Sequence, residues 1–104
     1  MKYTIEFIRN NRNEVDWKYI SAYQKLSEDF IREFEDRLDW FYISKYQDLS
    51  EEFIREFENK VEWISISIHQ KLSEEFIREF EDRIDWSIVS DVYQTLSEKF
   101  YERL

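Results

Sequence analysis

Apolar positions along this chain keep a strict register. Phe30, Ile31, Phe34 and Leu38 lie at i, i+1, i+4 and i+8, one face of a 3.6-residue helix. The same text returns 23 residues later at Phe53 and again at Phe76. A shorter set precedes it in each copy. Trp17, Ile20 and Gln24, at i, i+3 and i+7, also share one face, and the tryptophan recurs at Trp40, Trp63 and Trp86. The pattern therefore predicts pairs of short helices. One copy speaks for a strand instead, because Trp63-Ile64-Ser65-Ile66-Ser67-Ile68 alternates with a period of two. Its sister copies, KYISAYQ and FYISKYQ, do not alternate. Helix is the reading that all copies satisfy, and the L-x-x-L-x-L spacing of leucine-rich repeats is missing.

Helix starts are marked by polar residues. Ser27, between Leu26 and Glu28-Asp29-Phe30-Ile31, is placed as an N-cap, with Leu26 and Ile31 at the hydrophobic-staple positions. Glu28 and Asp29 put negative charge at the positive end of the helix dipole. A full capping box is not expected, since Phe30 stands where Glu or Gln would reach back. The signal recurs at Ser50, Ser73 and Ser97. Asp16, Asp39 and Asp85 precede the tryptophans as caps of the first helix, and Glu62 is the poorer counterpart. With neither Gly nor Pro in the chain, the turns must come from such capping chemistry. Acid–base pairs spaced i,i+4, such as Glu28–Arg32, Glu33–Arg37, Glu51–Arg55, Glu56–Lys60, Glu74–Arg78 and Glu79–Arg83, read as the solvated side of the second helix.

A 23-residue unit copied end to end cannot bury an apolar face alone, so stacking must build the core. We expect an all-α fold in which short two-helix repeats stack as a small solenoid, right-handed or gently curved, of about nine helices. Residues 1–104 form a single repeat domain: a capping helix in 1–15, then units 16–38, 39–61, 62–84 and 85–104. The capping helix, with Tyr3-Thr4 in the place of Leu26-Ser27, is more polar through Asn10, Asn11 and Asn13. The last unit gains a residue and stops at Leu104, leaving an end that would fray or mediate weak self-association.

Composition narrows the setting. Aromatics make up 19% of the residues, enough bulky rings for a core at few positions per unit. A net charge of −9 disfavours direct contact with nucleic acid or an anionic membrane and suits a protein partner, possibly basic. No window approaches the roughly 20 apolar residues of a membrane span, and no signal peptide opens the chain. Cysteine is absent, which removes disulfides and thiolate metal sites. A cytoplasmic location is expected.

The repeated string W-x-x-I-S-x-Y-Q-x-L-S-E-x-F-I-R-E-F-E-D resembles a short repeat of proteins from low-GC bacteria, their phages and giant viruses. The resemblance covers essentially residues 3–104, with the fourth copy departing at Val92, Tyr101 and Glu102. It implies a helical-repeat architecture and a phage-like origin. It carries over no catalytic residue and no cofactor.

Candidate chemistry is sparse. The 24 carboxylates recur beside Arg or Lys, as on a solvated face, and nothing marks a buried pair tuned for acid–base catalysis. His69, the single histidine, replaces Tyr23 and Tyr46 of the sister copies and reads as a surface aromatic substitute. No metal or cofactor is expected, and no enzyme activity. ISAYQKLSEDFIREF scans as a helix-turn-helix, but its second helix would present Glu28 and Asp29 to a duplex carrying about one negative charge per 1.7 Å. The recurring Ser21, Ser44, Ser67 and Ser90, with Gln24, Gln47, Gln70 and Gln94, read as packing and backbone satisfaction between units rather than as a ligand ladder. The tryptophans likewise read as core between units.

What varies between copies is the pointer to function. After the tryptophans come Lys18-Tyr19, Phe41-Tyr42, Ile64-Ser65 and Ser87-Ile88, and at the fifth position Ala22, Lys45, Ile68 and Asp91. These fall on one side of the first helix and would line up as a ribbon. Lys18, Tyr19, Phe41, Tyr42, Lys45, Ile64 and Ile68 are therefore the candidate partner-binding residues of a protein–protein interaction module. An alternative is an acidic, phage-encoded decoy of a host defence or nucleic-acid enzyme, with Glu28, Asp29, Glu51, Glu52, Glu74 and Glu75 as its face. A self-assembling structural array is a further alternative.

Overall fold

The computed structural model describes residues 3–84; the fourth unit, with its extra residue and its end at Leu104, lies outside the described residues. Seven α-helices and no strand occur among them: α1 (Ile5–Asn10), α2 (Trp17–Tyr23), α3 (Glu28–Glu33), α4 (Trp40–Tyr46), α5 (Glu51–Glu56), α6 (Trp63–His69) and α7 (Glu74–Glu79). They form an elongated body of 53 × 22 × 16 Å. The first helices α2, α4 and α6 pack in sequence into one column. The expected stacked all-α repeat is what forms, and the strand-like text at Trp63–Ile68 is helical.

Every helix is capped by the residue that the sequence marks. Thr4, Ser27, Ser50 and Ser73 accept a hydrogen bond from the backbone N–H three residues on. Asp16, Asp39 and Glu62 do the same for α2, α4 and α6. Glu62 is not the weak cap expected of it. Its longer side chain takes the N–H groups of Ile64 and Ser65 and also the Ser65 hydroxyl. The chain leaves each helix without any positive φ, consistent with the absence of glycine.

The second helix is shorter than its apolar stripe. It ends at Glu33, Glu56 and Glu79 rather than running on to Leu38, Val61 and Ile84. The backbone opens at Phe34 (φ −113°, ψ 29°), and both Arg37 N and Leu38 N then donate to the Phe34 carbonyl. A separate turn thus carries Leu38 back into the core, where it is buried. The i+8 spacing fits a turn that restarts as well as a continuous helix.

The core is a set of rows at the repeat spacing. Ile20, Ile43 and Ile66 are fully buried in the first-helix column, and Ile31, Ile54 and Ile77 line the second. Trp17, Trp40 and Trp63 are half-buried ties. The Trp17, Trp40 and Trp63 indoles donate to the carbonyls of Arg12, Glu35 and Glu58 at 2.8–2.9 Å, in the turn just before each helix. Their rings lie 5.0–5.1 Å from Phe34, Phe57 and Phe80 of their own units.

Polar side chains join the units. Gln47 Nε2 donates to the carbonyls of Ser21 and Gln24, while its Oε1 accepts from Leu26 N. Gln70 repeats this with Ser44, Gln47 and Leu49. Ser21 and Ser44 accept from the N–H of the next unit's cap, Asp39 and Glu62, at 2.9 Å. These residues are buried, and no buried side-chain polar atom is left unsatisfied among the described residues. Replacing Gln47 by Ala would strand three buried backbone groups, so stability to urea should fall by about 3 kcal/mol. Gln24→Ala, which frees only the Tyr3 backbone pair near the end of the stack, should cost about 1 kcal/mol. Equal costs at the two sites would show that the ladder does not hold the units together.

Candidate functional site

Ring contacts run unbroken across the side of the stack formed by α1, α2 and α4. Phe7 stacks on Tyr3 at 5.2 Å, and Tyr3 meets Tyr19 edge-on at 6.5 Å. Tyr19 leans on Tyr23 at 5.2 Å, and Tyr23 stacks on Tyr46 of the next unit at 6.4 Å. Tyr46 stacks on Tyr42, which meets Phe41 edge-on at 5.3 Å. Ile64 and Ile68 occupy the slots of Phe41 and Lys45 one repeat further along and are exposed. Lys45 lies among the rings, its Nζ 5.1 Å from the Tyr46 centroid and 5.9 Å from Phe41.

All seven candidate ribbon residues thus lie on the first-helix column. Lys18, Phe41, Ile64 and Ile68 are exposed, while Tyr19, Tyr42 and Lys45 are half-buried. Two of the variable positions are buried instead: Ser65, whose hydroxyl donates to the Glu62 cap, and Ala22, which is overhung by its larger neighbours at the floor of a hollow. The seven ribbon residues do not include Tyr23 and Tyr46, at the position that His69 takes in the third unit. Both are exposed, Tyr23 at 75%. Two open hollows flank it. One, of about 220 Å³, is lined by Asp16, Lys18, Tyr19, Ala22, Tyr23 and Tyr42. The other, of about 540 Å³, lies between the Tyr23–Glu28 stretch and Tyr46–Asp48.

The acidic face is arranged differently from the expected solvated rows. Of the six i,i+4 pairs, Glu74–Arg78 forms as expected. The other acids and bases reach across the stack. Arg9 binds Glu33, Arg32 binds Glu56 and Arg55 binds Glu79, each pair 24 residues apart and 2.7–2.9 Å long. Arg32 and Arg55 also lie over Phe53 and Phe76 at 5.3 Å. Glu28 accepts from both the backbone N–H and the hydroxyl of Ser50, and Glu51 does so at Ser73. The capping box missing within a unit is therefore completed by the glutamate of the unit before. Of the candidate decoy residues, Glu28, Glu51 and Glu74 are engaged in these contacts. Asp29, which holds Arg32, stays outward with Glu52 and Glu75.

His69 is exposed, and no group of three or more acidic or histidine side chains is placed to hold a metal among the described residues. No described helix is long and apolar enough to cross a membrane.

The hydrogen bond from Arg9 holds the Glu33 carboxyl below its ordinary pKa. A lowered carboxyl pKa stabilises the fold above the unfolded value and loses that contribution as pH falls through the folded one. Glu33→Gln should therefore lower the thermal midpoint slightly at neutral pH and converge on the parent as pH falls below the ordinary carboxylate range. Because the pair is exposed, the difference should shrink in about 0.5 M NaCl. A gap that persists at acid pH would mean the effect is not ionic. Comparison of the chain with protein-family models, curated proteins and solved structures finds no match.

Proposed function

We propose that this chain is a non-enzymatic protein-binding module whose contact surface is the ribbon on the first-helix column. The observation that carries this reading is the run of seven touching rings from Phe7 to Phe41, with Ile64 and Ile68 exposed on the next first helix. Stack cohesion does not require these side chains outside. The isoleucine rows, the Trp–Phe contacts and the Gln and Ser bonds already join the units. Large exposed apolar patches on soluble proteins mark interaction surfaces, and aromatic anchors dominate such contacts. A cytosolic setting fits a chain without cysteine.

The decoy reading has less support. A nucleic-acid mimic needs free carboxylates, whereas four of its six candidate residues cap neighbouring units or pair with arginine. A self-assembling array would depend on residues 85–104.

Changing Phe41, Ile64 and Ile68 to Ser tests the ribbon. These are exposed positions, so stability should shift by less than about 0.5 kcal/mol each. Proteins captured from cells by the parent should be lost by the triple variant, with circular dichroism unchanged. If every captured partner stays bound, the ribbon is not the interface. If Glu52→Lys with Glu75→Lys releases the partner instead, and binding weakens steeply with salt, the decoy reading takes its place.

A further inference from the structure

The next repeat offers a comparison for the smaller hollow beside Tyr23. Lys45, Tyr46 and Tyr42 are the counterparts, 23 residues on, of Ala22, Tyr23 and Tyr19. In the second unit the Lys45 ammonium lies over the Tyr46 ring at 5.1 Å. In the first unit Ala22 supplies no such chain, and the hollow of about 220 Å³ opens at that place. Tyr23 is left with the most exposed ring among the described residues. We propose that this notch receives an arginine or lysine side chain from a basic segment of a partner protein, in the position that Lys45 fills one repeat along.

Three observations support a cationic occupant. Tyrosine faces attract cations, and a planar guanidinium stacks on them as well. Cations already lie over rings elsewhere in this fold, with Arg32 over Phe53, Arg55 over Phe76 and Arg83 over Trp63. The Asp16 carboxylate, which caps α2 through the Tyr19 N–H, forms part of the wall, and the whole chain carries a net charge of −9. One wall residue opposes it. Lys18 stands where the second unit has Phe41, so an incoming cation meets like charge there. That opposition gives the assignment a signed test.

This inference rests on the ribbon being a protein-binding surface, and the two are separable. Acetylated tetra-arginine amide should produce saturable shifts of the Tyr23 and Tyr19 ring resonances in a titration followed by NMR. Ala22→Lys installs the residue that the next unit already accommodates, and it should weaken binding roughly tenfold. Tyr23→Ala, at an exposed ring, should do the same, whereas Lys18→Glu should tighten binding several-fold, on the order of one further ionic contact. The assignment is overturned if tetra-arginine gives no saturable shift at millimolar concentration or if Ala22→Lys binds as the parent does. It is equally overturned if tetra-glutamate or octauridylate binds in preference, which would make the surface one for acidic peptide or single-stranded RNA. A partner released by the Phe41, Ile64 and Ile68 triple variant but kept by Ala22→Lys would leave the ribbon reading standing and remove the notch alone.

Discussion

Helices of six or seven residues are the constraint on which this structure turns. An α-helix leaves its first four N–H groups and last four carbonyls without internal partners. In elements this short, those orphans are most of the backbone, and isolated helices of such length are not stable in water. The solution here is to have each unit complete its neighbours. Ser21 and Ser44 serve the N–H of the next first-helix cap, Glu28 and Glu51 serve the next second-helix cap, and Gln47 and Gln70 serve the loop and helix end of the unit before. A single unit separated from its neighbours would lose packing and backbone satisfaction together.

That dependence explains which positions repeat. The recurring Ser, Gln and Glu are as constrained as the buried Ile and Phe, because each meets a backbone group whose place is set by the repeat translation. It also explains the charge pattern. A glutamate written four residues before an arginine looks like a pair within one helix. In a stack, the neighbouring unit's arginine at 24 residues is at least as near, and the long side chains bridge the units instead.

The proposed contact surface draws on positions that this scheme does not use. The ribbon rings contact one another along the outside of the column, while Trp17, Trp40 and Trp63, the conspicuous aromatics of the sequence, are taken up by the turn before them and by the Phe behind them. Ala22 illustrates how a small change at a free slot alters the surface without disturbing the stack. Its methyl leaves a hollow where Lys45 covers a ring.

Much of the fold was legible in the residues themselves. The unit length, the caps at Ser27 and Asp39, the helical state of the strand-like Trp63–Ile68 text and the inward roles of Ile20, Gln24 and Ser21 all follow from local spacing and chemistry. Such features depend on a residue's near neighbours, and the repeat states them several times over. The cross-unit capping box and the arginine ladders were not legible, since each depends on a group some 20 residues away whose distance is set by the stacking translation. The early end of α3 at Glu33 was not legible either, because the i+8 spacing fits a restarted turn as well as a continuous helix. The candidate surface divides in the same way. Phe41 and Ile64 announced themselves by varying, and the surface position shared by Tyr23 and His69 was legible too, but the burial of Ser65 was decided by how neighbouring first helices pack.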